Sequence, residues 1–312
     1  MKFAFVFPGQ GSQSVGMVKD LAESFSLVKE CYQEASDTIS VDIWKLVQEG
    51  PAEELNQTQN TQPVMLAASF AISRIWADST SQVPTVVAGH SFGEVSALTC
   101  ANSMVFKDAC LLARKRGELM QNAVPVGTGA MAAILGLEDD VLDALCQSVS
   151  TEDTVVEAVN YNAPGQVVVA GHTSAVELLI DSAKESGAKR ALKLPVSVPA
   201  HSSLMKPAAE QFSQALADID IQMPGTPIIQ NATLASPNSA DDIRSALQAQ
   251  LYSPVKWVDT IQLIKAMDVT HVIEMGPGKV LSGLHKRIDK SLKSHCISDN
   301  ASLETALKSI EE

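Results

Sequence analysis

A short apolar segment that runs into a glycine-bracketed serine constrains this chain more than any other feature. Residues 86–88 precede the pentapeptide Gly89-His90-Ser91-Phe92-Gly93, and residues 94–101 have a helix-forming composition. The order of strand, Gly-x-Ser-x-Gly turn and helix is that of a nucleophile elbow, in which a serine hydroxyl stands at the apex of a sharp turn. An ordinary serine in a glycine-rich turn is the alternative, and the flanking strand and helix favour the elbow. We therefore predict that Ser91 is a nucleophile.

The bulk composition indicates a globular protein with a net negative charge. A chain of 312 residues can bury a large core, as one large domain or as a large domain that carries a smaller one. The formal net charge of −13 repels nucleic acid phosphates, so we expect no nucleic acid partner. Because no stretch approaches the apolar length of a membrane span, we expect a cytoplasmic protein that does not contact membranes.

The five cysteines are scattered along the chain and never form a C-x-x-C pair. This spacing argues against a disulfide framework and against a zinc site, and it predicts buried free thiols. We expect no metal and no cofactor. We also expect a monomer, because nothing in the sequence indicates an obligate partner subunit.

Polar loops follow two further strand-like segments. Residues 3–7 form a continuous apolar run, typical of a parallel strand that is covered on both faces, and they end in Pro8-Gly9-Gln10-Gly11-Ser12-Gln13. Gln10 would then lie at the carboxyl edge of the sheet, where open α/β folds bind ligands. A plain polar loop fits the same residues. Residues 270–275 predict another strand, followed by a tight turn that lacks the spacing of a phosphate loop.

An arginine lies on the apolar face of the predicted helix at residues 107–122. Arg116 falls on the same stripe as Leu112 and Ala113. A buried guanidinium without an anion costs several kcal/mol, so an anion must face it. That anion is either a protein carboxylate or a carboxylate of the substrate, and both fit the periodicity.

The segment from Gly127 to Val196 differs from the rest of the chain in the order of its predicted strands and helices. Its predicted strands and helices cover, in order, residues 130–135, 139–148, 155–159, 166–170, 174–186 and 190–194. The order βαββαβ is that of a ferredoxin-like unit, small enough to be inserted into a larger domain. We therefore predict an α/β protein in which residues 1–126 and 197–312 form a discontinuous large domain and residues 127–196 an inserted ferredoxin-like domain. A cleft is expected where the two domains meet.

One histidine of the six is well placed to face such a cleft. His201 follows strand-like residues 194–198 and begins a predicted helix, directly after the predicted small domain. A lone histidine more often has a structural role, so its position makes it a candidate base and no more. Gln250 lies on the apolar stripe of a helix over residues 240–251. A glutamine there needs polar partners, and a histidine is one candidate.

Six motifs follow one another along nearly the whole chain. They are Phe7-Pro8-Gly9-Gln10-Gly11-Ser12-Gln13, Gly89-His90-Ser91-Phe92-Gly93-Glu94, Arg116-Gly117, Asn160-Tyr161-Asn162-Ala163-Pro164-Gly165-Gln166, Val198-Pro199-Ala200-His201 and Glu274-Met275-Gly276-Pro277-Gly278. Together they resemble the malonyl-CoA:acyl carrier protein transacylase family of type II fatty acid synthesis. The resemblance implies an α/β-hydrolase-like domain with a ferredoxin-like insertion.

The resemblance also implies an activity and a set of roles. The enzyme would transfer a malonyl group from malonyl-CoA to the phosphopantetheine thiol of acyl carrier protein, through a malonyl-serine intermediate. Ser91 would be acylated, and His201 would be its general base. Arg116 would clamp the malonyl carboxylate, and an oxygen of Gln250 would orient His201. A neutral orienter suffices because a thiol, with a pKa near ~8.5, is an easy leaving group.

The oxyanion hole is assigned by the same resemblance to the backbone N–H groups of Gln10 and Phe92. Phe92 departs from the family pattern, which more often has a smaller aliphatic residue there. Because a backbone N–H group acts at this position, we expect Phe92 to leave the oxyanion hole intact. The sequence does not fix the shape of the acyl pocket. Asn160 and Asn162 lie near the cleft in this family, with no role assigned.

Basic residues gather near the carboxyl end of this acidic chain. We predict that the helix after Lys279 carries four of them on neighbouring turns, at Lys286, Arg287, Lys290 and Lys293. A solvated helix face is the plain interpretation. Given the resemblance, Lys286 and Arg287 are candidates for docking the acidic carrier, together with Lys189 and Arg190.

Two other functions share the elbow. A serine esterase or thioesterase would usually have an Asp or Glu between serine and histidine in chain order, and it would need no arginine in the acyl pocket. A trans-acting acyltransferase of a polyketide pathway uses the same chemistry and differs only in its carrier.

Overall fold

The computed structural model of the protein describes residues 1–196 and 198–311. The strands are β1 (Phe3–Phe7), β2 (Val86–Gly89), β3 (Gly129–Leu135), β4 (Val156–Ala163), β5 (Gln166–His172), β6 (Arg190–Lys193), β7 (Ile228–Ile229), β8 (His271–Met275) and β9 (Lys293–Ile297). The helices are α1 (Lys19–Ser24), α2 (Ser26–Ile39), α3 (Ile43–Glu49), α4 (Ala52–Leu55), α5 (Thr58–Ser79), α6 (Gly93–Cys100), α7 (Phe106–Gln121), α8 (Asp139–Val149), α9 (Thr173–Glu185), α10 (Lys206–Ala217), α11 (Ala240–Gln250), α12 (Trp257–Ala266), α13 (Val280–Ile288) and α14 (Asn300–Glu311). None of the described helices is both long and apolar enough to cross a bilayer.

A parallel sheet in the order β7-β2-β1-β8-β9 forms one layer of the molecule. Its central strand β1 is buried along its whole length. Phe3, Phe5 and Phe7 pack into one hydrophobic cluster, and Ala4 and Val6 pack into a second cluster on the opposite face. The unbroken apolar run therefore reflects burial on both faces, as predicted. Because neighbouring strands run parallel, the loops after β1, β2 and β8 emerge at one edge.

A separate antiparallel sheet has the order β4-β5-β3-β6. Helices α8 and α9 cover one of its faces, where Leu142 and Val176 join the apolar residues of the strands. The other face carries Met131 and Val168 in a smaller apolar cluster. The fold is thus mixed α/β, with one parallel and one antiparallel sheet.

Backbone hydrogen bonds join the antiparallel sheet to the segment before α12. The Tyr161 N–H group donates to the Val255 oxygen at 2.9 Å, and the Val255 N–H group donates to the Val159 oxygen at 2.8 Å. Val255 pairs in parallel with Asn160 as an isolated bridge. The edge strand β4 is therefore covered by backbone from outside its own sheet.

Two predicted elements differ from the observed ones. The helix-like composition of residues 15–39 predicts a single helix, but the structure has two, α1 and α2, because Phe25 between them has an extended backbone with φ −128° and ψ 108°. The predicted four-residue basic helix face is also wrong, since α13 ends at Ile288 and Lys293 begins β9. The Asp289 carboxylate accepts the Ser291 N–H group at 2.8 Å and turns the chain out of the helix.

A glycine lets helices α5 and α7 approach each other closely. A Cβ atom at Gly117 would lie 2.5 Å from the Gln59 Cα atom and 2.7 Å from the Thr58 oxygen. Gly117 therefore lies where the backbone of α7 touches the first turn of α5. Gly283, within α13, is different, because a Cβ atom there would meet no heavy atom of the described residues within 4 Å.

These two helical glycines make a matched pair for a stability test. We expect Gly117→Ala to lower the free energy of unfolding by about 1 to 3 kcal/mol, because the added methyl group pushes α7 away from α5. Gly283→Ala should instead raise it by about 0.5 to 1 kcal/mol, through the better helix propensity of alanine. Chemical denaturation of both variants measures the difference. Equal effects of the two substitutions would contradict the close contact at Gly117.

Candidate active site

The loop after β2 has the geometry of a nucleophile elbow. Ser91 has a φ of 54°, in the left-handed region that non-glycine residues seldom adopt. A Cβ atom at Gly89 would lie 1.9 Å from the Gly93 carbonyl carbon, and one at Gly93 would lie 2.0 Å from the Phe7 oxygen. Only glycine fits at either position. The serine is thus held at the apex of a turn that is pressed against β1.

Asn231 braces this turn and was not predicted from the sequence. Its Oδ1 atom accepts the Ser91 N–H group at 2.8 Å, and its Nδ2 atom donates to the Gly89 oxygen at 2.7 Å. Asn231 follows β7, the neighbour of β2, so it emerges at the same edge of the sheet. The available signal was a pair of polar residues, Gln230 and Asn231, directly after two isoleucines. A two-residue strand is too short for its pattern to be recognised.

Ser91 and His201 are directly hydrogen bonded. The Ser91 Oγ atom lies 2.7 Å from the His201 Nε2 atom. On the other side of the ring, Nδ1 lies 2.7 Å from the main-chain oxygen of Gln250. A carbonyl oxygen can only accept, so Nδ1 carries the proton and Nε2 is left as the acceptor for the serine hydroxyl. This tautomer is the one that a general base requires.

Burial and a nearby cation keep His201 neutral. Its side chain is buried, and this burial together with the positive charge of Arg116 lowers the pKa of His201 to about 3. The imidazole therefore has its Nε2 lone pair available at neutral pH.

The side chain of Gln250 is hydrogen bonded to Arg116, and only its main-chain oxygen is hydrogen bonded to His201. The Oε1 atom accepts from the Arg116 Nη2 atom at 2.8 Å. The Nε2 atom donates to the Glu94 carboxylate at 2.7 Å and to the Ser91 oxygen at 3.0 Å. The oxygen that lies against His201 is thus the peptide oxygen of Gln250.

Arg116 is a buried cation without a direct ion pair. Its side chain is 1% exposed, and burial lowers its pKa to about 10, so it stays charged at neutral pH. Its Nε atom has no hydrogen-bond partner among residues 1–196 and 198–311, and no carboxylate there lies within ion-pair distance of the guanidinium. The Phe92 ring centroid lies 5.9 Å from its Cζ atom, a cation–π contact. Of the two anions considered above, the geometry favours one from a ligand.

The two N–H groups predicted to form an oxyanion hole lie beside the serine. Gln10 and Phe92 both line the cavity that contains Ser91. A Cβ atom at Gly9 would lie 2.6 Å from the His90 oxygen, so the loop after β1 presses on the loop after β2. Within the described part of the chain, neither N–H group donates a hydrogen bond. Both remain available to a ligand oxygen.

A cavity of about 420 Å³ between the two sheets brings most of the predicted residues together. From the parallel sheet and its helices it is lined by Gln10, Gln62, Ser91, Phe92, Arg116 and His201, among others. Asn160, Asn162, Met131 and Val168 line it from the antiparallel sheet. The Oδ1 atom of Asn162 lies 2.7 Å from the His90 Nε2 atom. Asn160 has a buried Oδ1 atom with no partner in the regions that the structure covers.

The predicted docking residues lie in a different place. Lys189, Arg190 and Arg287 line a second hollow of about 430 Å³ beside Glu138. Arg287 donates from Nη1 to the Gln166 Oε1 atom at 2.6 Å. Lys286 does not line this hollow. Three of the four candidates are therefore close together, outside the catalytic cavity. No cluster of three or more potential metal ligands occurs in the described chain.

Comparison with known proteins gives matches over nearly the whole chain. The family model described as the acyl transferase domain matches residues 4–307. The malonyl CoA-acyl carrier protein transacylase of Escherichia coli is 49% identical over 307 residues, which cover 98% of this chain and 99% of that protein. These matches confirm the resemblance drawn from the six motifs.

Solved structures agree with this assignment. The acyl carrier protein S-malonyltransferase of Vibrio cholerae has a TM-score of 0.95 at 51% identity, over 98% of this chain and 100% of that one. A type II PKS acyl-carrier protein in complex with its malonyl-transacylase gives a TM-score of 0.97 at 49% identity, over 99% of this chain and 100% of the matched one. The chain therefore belongs to the acyl transferase family, among the malonyl CoA-acyl carrier protein transacylases.

Proposed function

We propose that the protein transfers a malonyl group from malonyl-CoA to the phosphopantetheine thiol of acyl carrier protein, through a malonyl ester of Ser91. One observation carries this proposal: a buried guanidinium without a direct ion pair shares a cavity with a serine and histidine only 2.7 Å apart. The names of the relatives, and the carrier complex of one of them, support the same donor and acceptor. The product is the extender unit of fatty acid synthesis.

In the first half-reaction, the Ser91 Oγ atom attacks the thioester carbonyl while His201 Nε2 takes the hydroxyl proton. The oxyanion forms beside the N–H groups of Gln10 and Phe92, which typically contribute on the order of 10²- to 10³-fold each. When the carbon–sulfur bond breaks, His201 returns the proton to the coenzyme A thiolate. The second half-reaction is the reverse, with the carrier thiol as the attacking group.

Arg116 selects an acyl group that carries a free carboxylate. A planar guanidinium binds a carboxylate through two parallel hydrogen bonds, and burial strengthens both because water does not compete. An acetyl group leaves the same cation without a directly bound anion. Selection of malonyl over acetyl thus follows from a buried cation that has no direct ion pair within the described residues.

Two alternatives differ in what they require of this site. Serine esterases usually orient their histidine with a carboxylate, whereas here a peptide oxygen takes that place, which suits a thiol leaving group better than an alcohol. Transfer to a polyketide carrier is the second candidate, because a relative of similar fold was solved with a type II PKS carrier.

The same proposal extends to the domain division. The strand order β4-β5-β3-β6, with α8 and α9 on one face, supports a ferredoxin-like domain at residues 127–196. Residues 1–126 and 197–312 then make up an α/β-hydrolase-like domain around the parallel sheet. Of these boundaries, positions 197 and 312 lie outside the described residues.

The covalent step can be tested by intact-protein mass spectrometry after mixing with malonyl-CoA or acetyl-CoA, without carrier. We expect a malonyl adduct that maps to Ser91, little acetyl adduct, and no adduct on Ser91→Ala. Arg116→Ala should lose the malonyl adduct and gain in relative acetyl transfer, because no cation remains to bind the carboxylate. Steady release of free acid without an adduct would instead indicate a hydrolase, and an unchanged acyl preference in Arg116→Ala would exclude the clamp.

The pH dependence of acylation tests the state of His201. Since the pKa of His201 is lowered to about 3, the base stays neutral, and its activity is lost only as the pH falls toward that value. We expect the acylation rate with malonyl-CoA to be nearly constant between about pH 5 and pH 8. Circular dichroism over the same range controls for unfolding. A loss of rate centred near pH 6.5, the ordinary value for histidine, would refute this environment.

Charge reversal tests carrier docking. We expect the double variant Lys286→Glu/Arg287→Glu to raise the apparent KM for the carrier by about tenfold at low salt, because both changes repel an acidic partner. The apparent KM for malonyl-CoA should not change. Lys29→Glu/Lys308→Glu makes the same change in net charge at exposed lysines of α2 and α14 and serves as the control. If the carrier KM of the double variant equals that of the control, the docking assignment is wrong.

A further inference from the structure

A carboxylate lies buried behind the catalytic residues. Glu94, in the first turn of α6, is 0% exposed and does not line the catalytic cavity. Its oxygens accept the Asn231 N–H group at 2.9 Å, the Gln250 Nε2 atom at 2.7 Å and the Gln230 Nε2 atom at 3.3 Å. A buried charge is costly, and the reaction described above makes no use of this one.

The hydrogen-bond partners indicate that Glu94 is ionised. All its partners among the described residues are N–H donors, and a protonated carboxyl group would need an acceptor for its own O–H group. Burial raises the pKa of Glu94, and the donors together with the charge of Arg116 oppose that rise. A carboxylate with three donors is the arrangement in which a buried negative charge is best compensated.

This carboxylate determines which way the Gln250 amide points. With its Nε2 atom between the Glu94 carboxylate and the Ser91 oxygen, Gln250 can present only Oε1 to Arg116. The reversed amide would place Oε1 against two oxygens that carry no proton, and it would place the NH₂ group against a guanidinium. Each of these contacts is repulsive, so the negative charge of Glu94 selects a single orientation.

The orientation of the amide in turn holds the guanidinium. The Arg116 Nη2 atom is bound to the Gln250 Oε1 atom, whereas Nε is without a partner in the described part of the molecule. One edge of the guanidinium is thus fixed to the protein, and polar hydrogens elsewhere on it stay available for a ligand. Glu94 acts on the ligand-binding group across one intervening side chain.

We propose that Glu94 is a positioning residue that sets the preference for a carboxylated acyl group, by holding the Gln250 amide in the orientation that presents the Arg116 clamp. This inference rests on the proposed function of the cavity. Glu94 also accepts the N–H group of Asn231, which braces the elbow, so its loss will slow acylation by every donor. The informative quantity is therefore the ratio of the malonyl to the acetyl acylation rate.

The test is single-turnover acylation of Ser91 by malonyl-CoA and by acetyl-CoA, followed by intact mass. Glu94→Gln has the same shape but no charge, and its amide has one acceptor oxygen where the carboxylate has two, so the Gln250 amide is held in its orientation less firmly. We expect the malonyl-to-acetyl ratio to fall about 10- to 100-fold, the range for a misplaced hydrogen bond to a charged group. Glu94→Asp keeps the charge and should retain most of the ratio.

A second buried glutamate is the matched control. Glu274 is also 0% exposed and accepts the N–H groups of Leu281 and Ser282 at the start of α13. Glu274→Gln removes a charge of the same kind and weakens a helix that lines the cavity. Because both donors share coenzyme A, we expect this variant to slow both reactions alike and to leave the ratio unchanged.

A double-mutant cycle separates positioning from general damage. Gln250→Leu removes the amide but keeps the peptide oxygen that binds His201, and it should lower the ratio as Glu94→Gln does. If Glu94 acts through Gln250, adding Glu94→Gln to Gln250→Leu will not lower the ratio further. Should Glu94→Gln fail to fold, Gln250→Leu alone still tests the proposal, because an unchanged malonyl-to-acetyl ratio in that variant overturns it.

The possible outcomes distinguish this inference from the function on which it rests. Additive effects in the cycle, or a Glu94→Gln variant that keeps the wild-type ratio, would show that Glu94 does not position the clamp while transfer of malonyl stands. A wild-type protein that forms no malonyl ester at Ser91 would instead refute the proposed function itself.

Discussion

The site depends on how closely three loops approach one another at the edge of the parallel sheet. The loops after β1, β2 and β8 meet where a Cβ atom at Gly9, Gly93 or Gly276 would lie within 2.6 Å of a neighbouring loop or strand. This proximity places the nucleophile of one loop next to the predicted oxyanion donor of another. It also requires an unfavourable backbone at Ser91, which Asn231 stabilises from the end of a fourth strand.

Two buried side chains of opposite charge lie close to the cavity without forming a direct ion pair. Arg116 and Glu94 are both buried, yet the amide of Gln250 stands between them. A direct ion pair would neutralise the guanidinium and remove its attraction for a ligand. With an amide between them, each charge is partly compensated by a dipole while the cation keeps hydrogen-bonding capacity. The geometry thus balances the cost of burial against the need to bind an anion.

Much of the fold and site could be predicted because the relevant signals are local. The apolar run of β1, the Gly-x-Ser-x-Gly turn and the helical stripe that contains Arg116 each lie within a few neighbouring residues. Asn231 and Glu94 escaped prediction because their roles exist only when distant segments meet. The Glu94 side chain contacts residues more than a hundred positions away, and no periodicity records such a contact. The strand β9 was missed because an edge strand with Lys293 and His295 lacks an apolar pattern.

The backbone link at Val255 has a consequence for how this cavity can change over evolution. Because peptide groups of β4 and of the segment before α12 are hydrogen bonded to each other, this link between the two parts does not depend on which side chains are present. Substitutions at positions that line the cavity, such as Met131 or Val168, can then change its shape while this backbone link stays the same. Substitutions in the walls of the cavity can therefore change which acyl group it accepts, while the backbone link at Val255 is retained from one variant to the next.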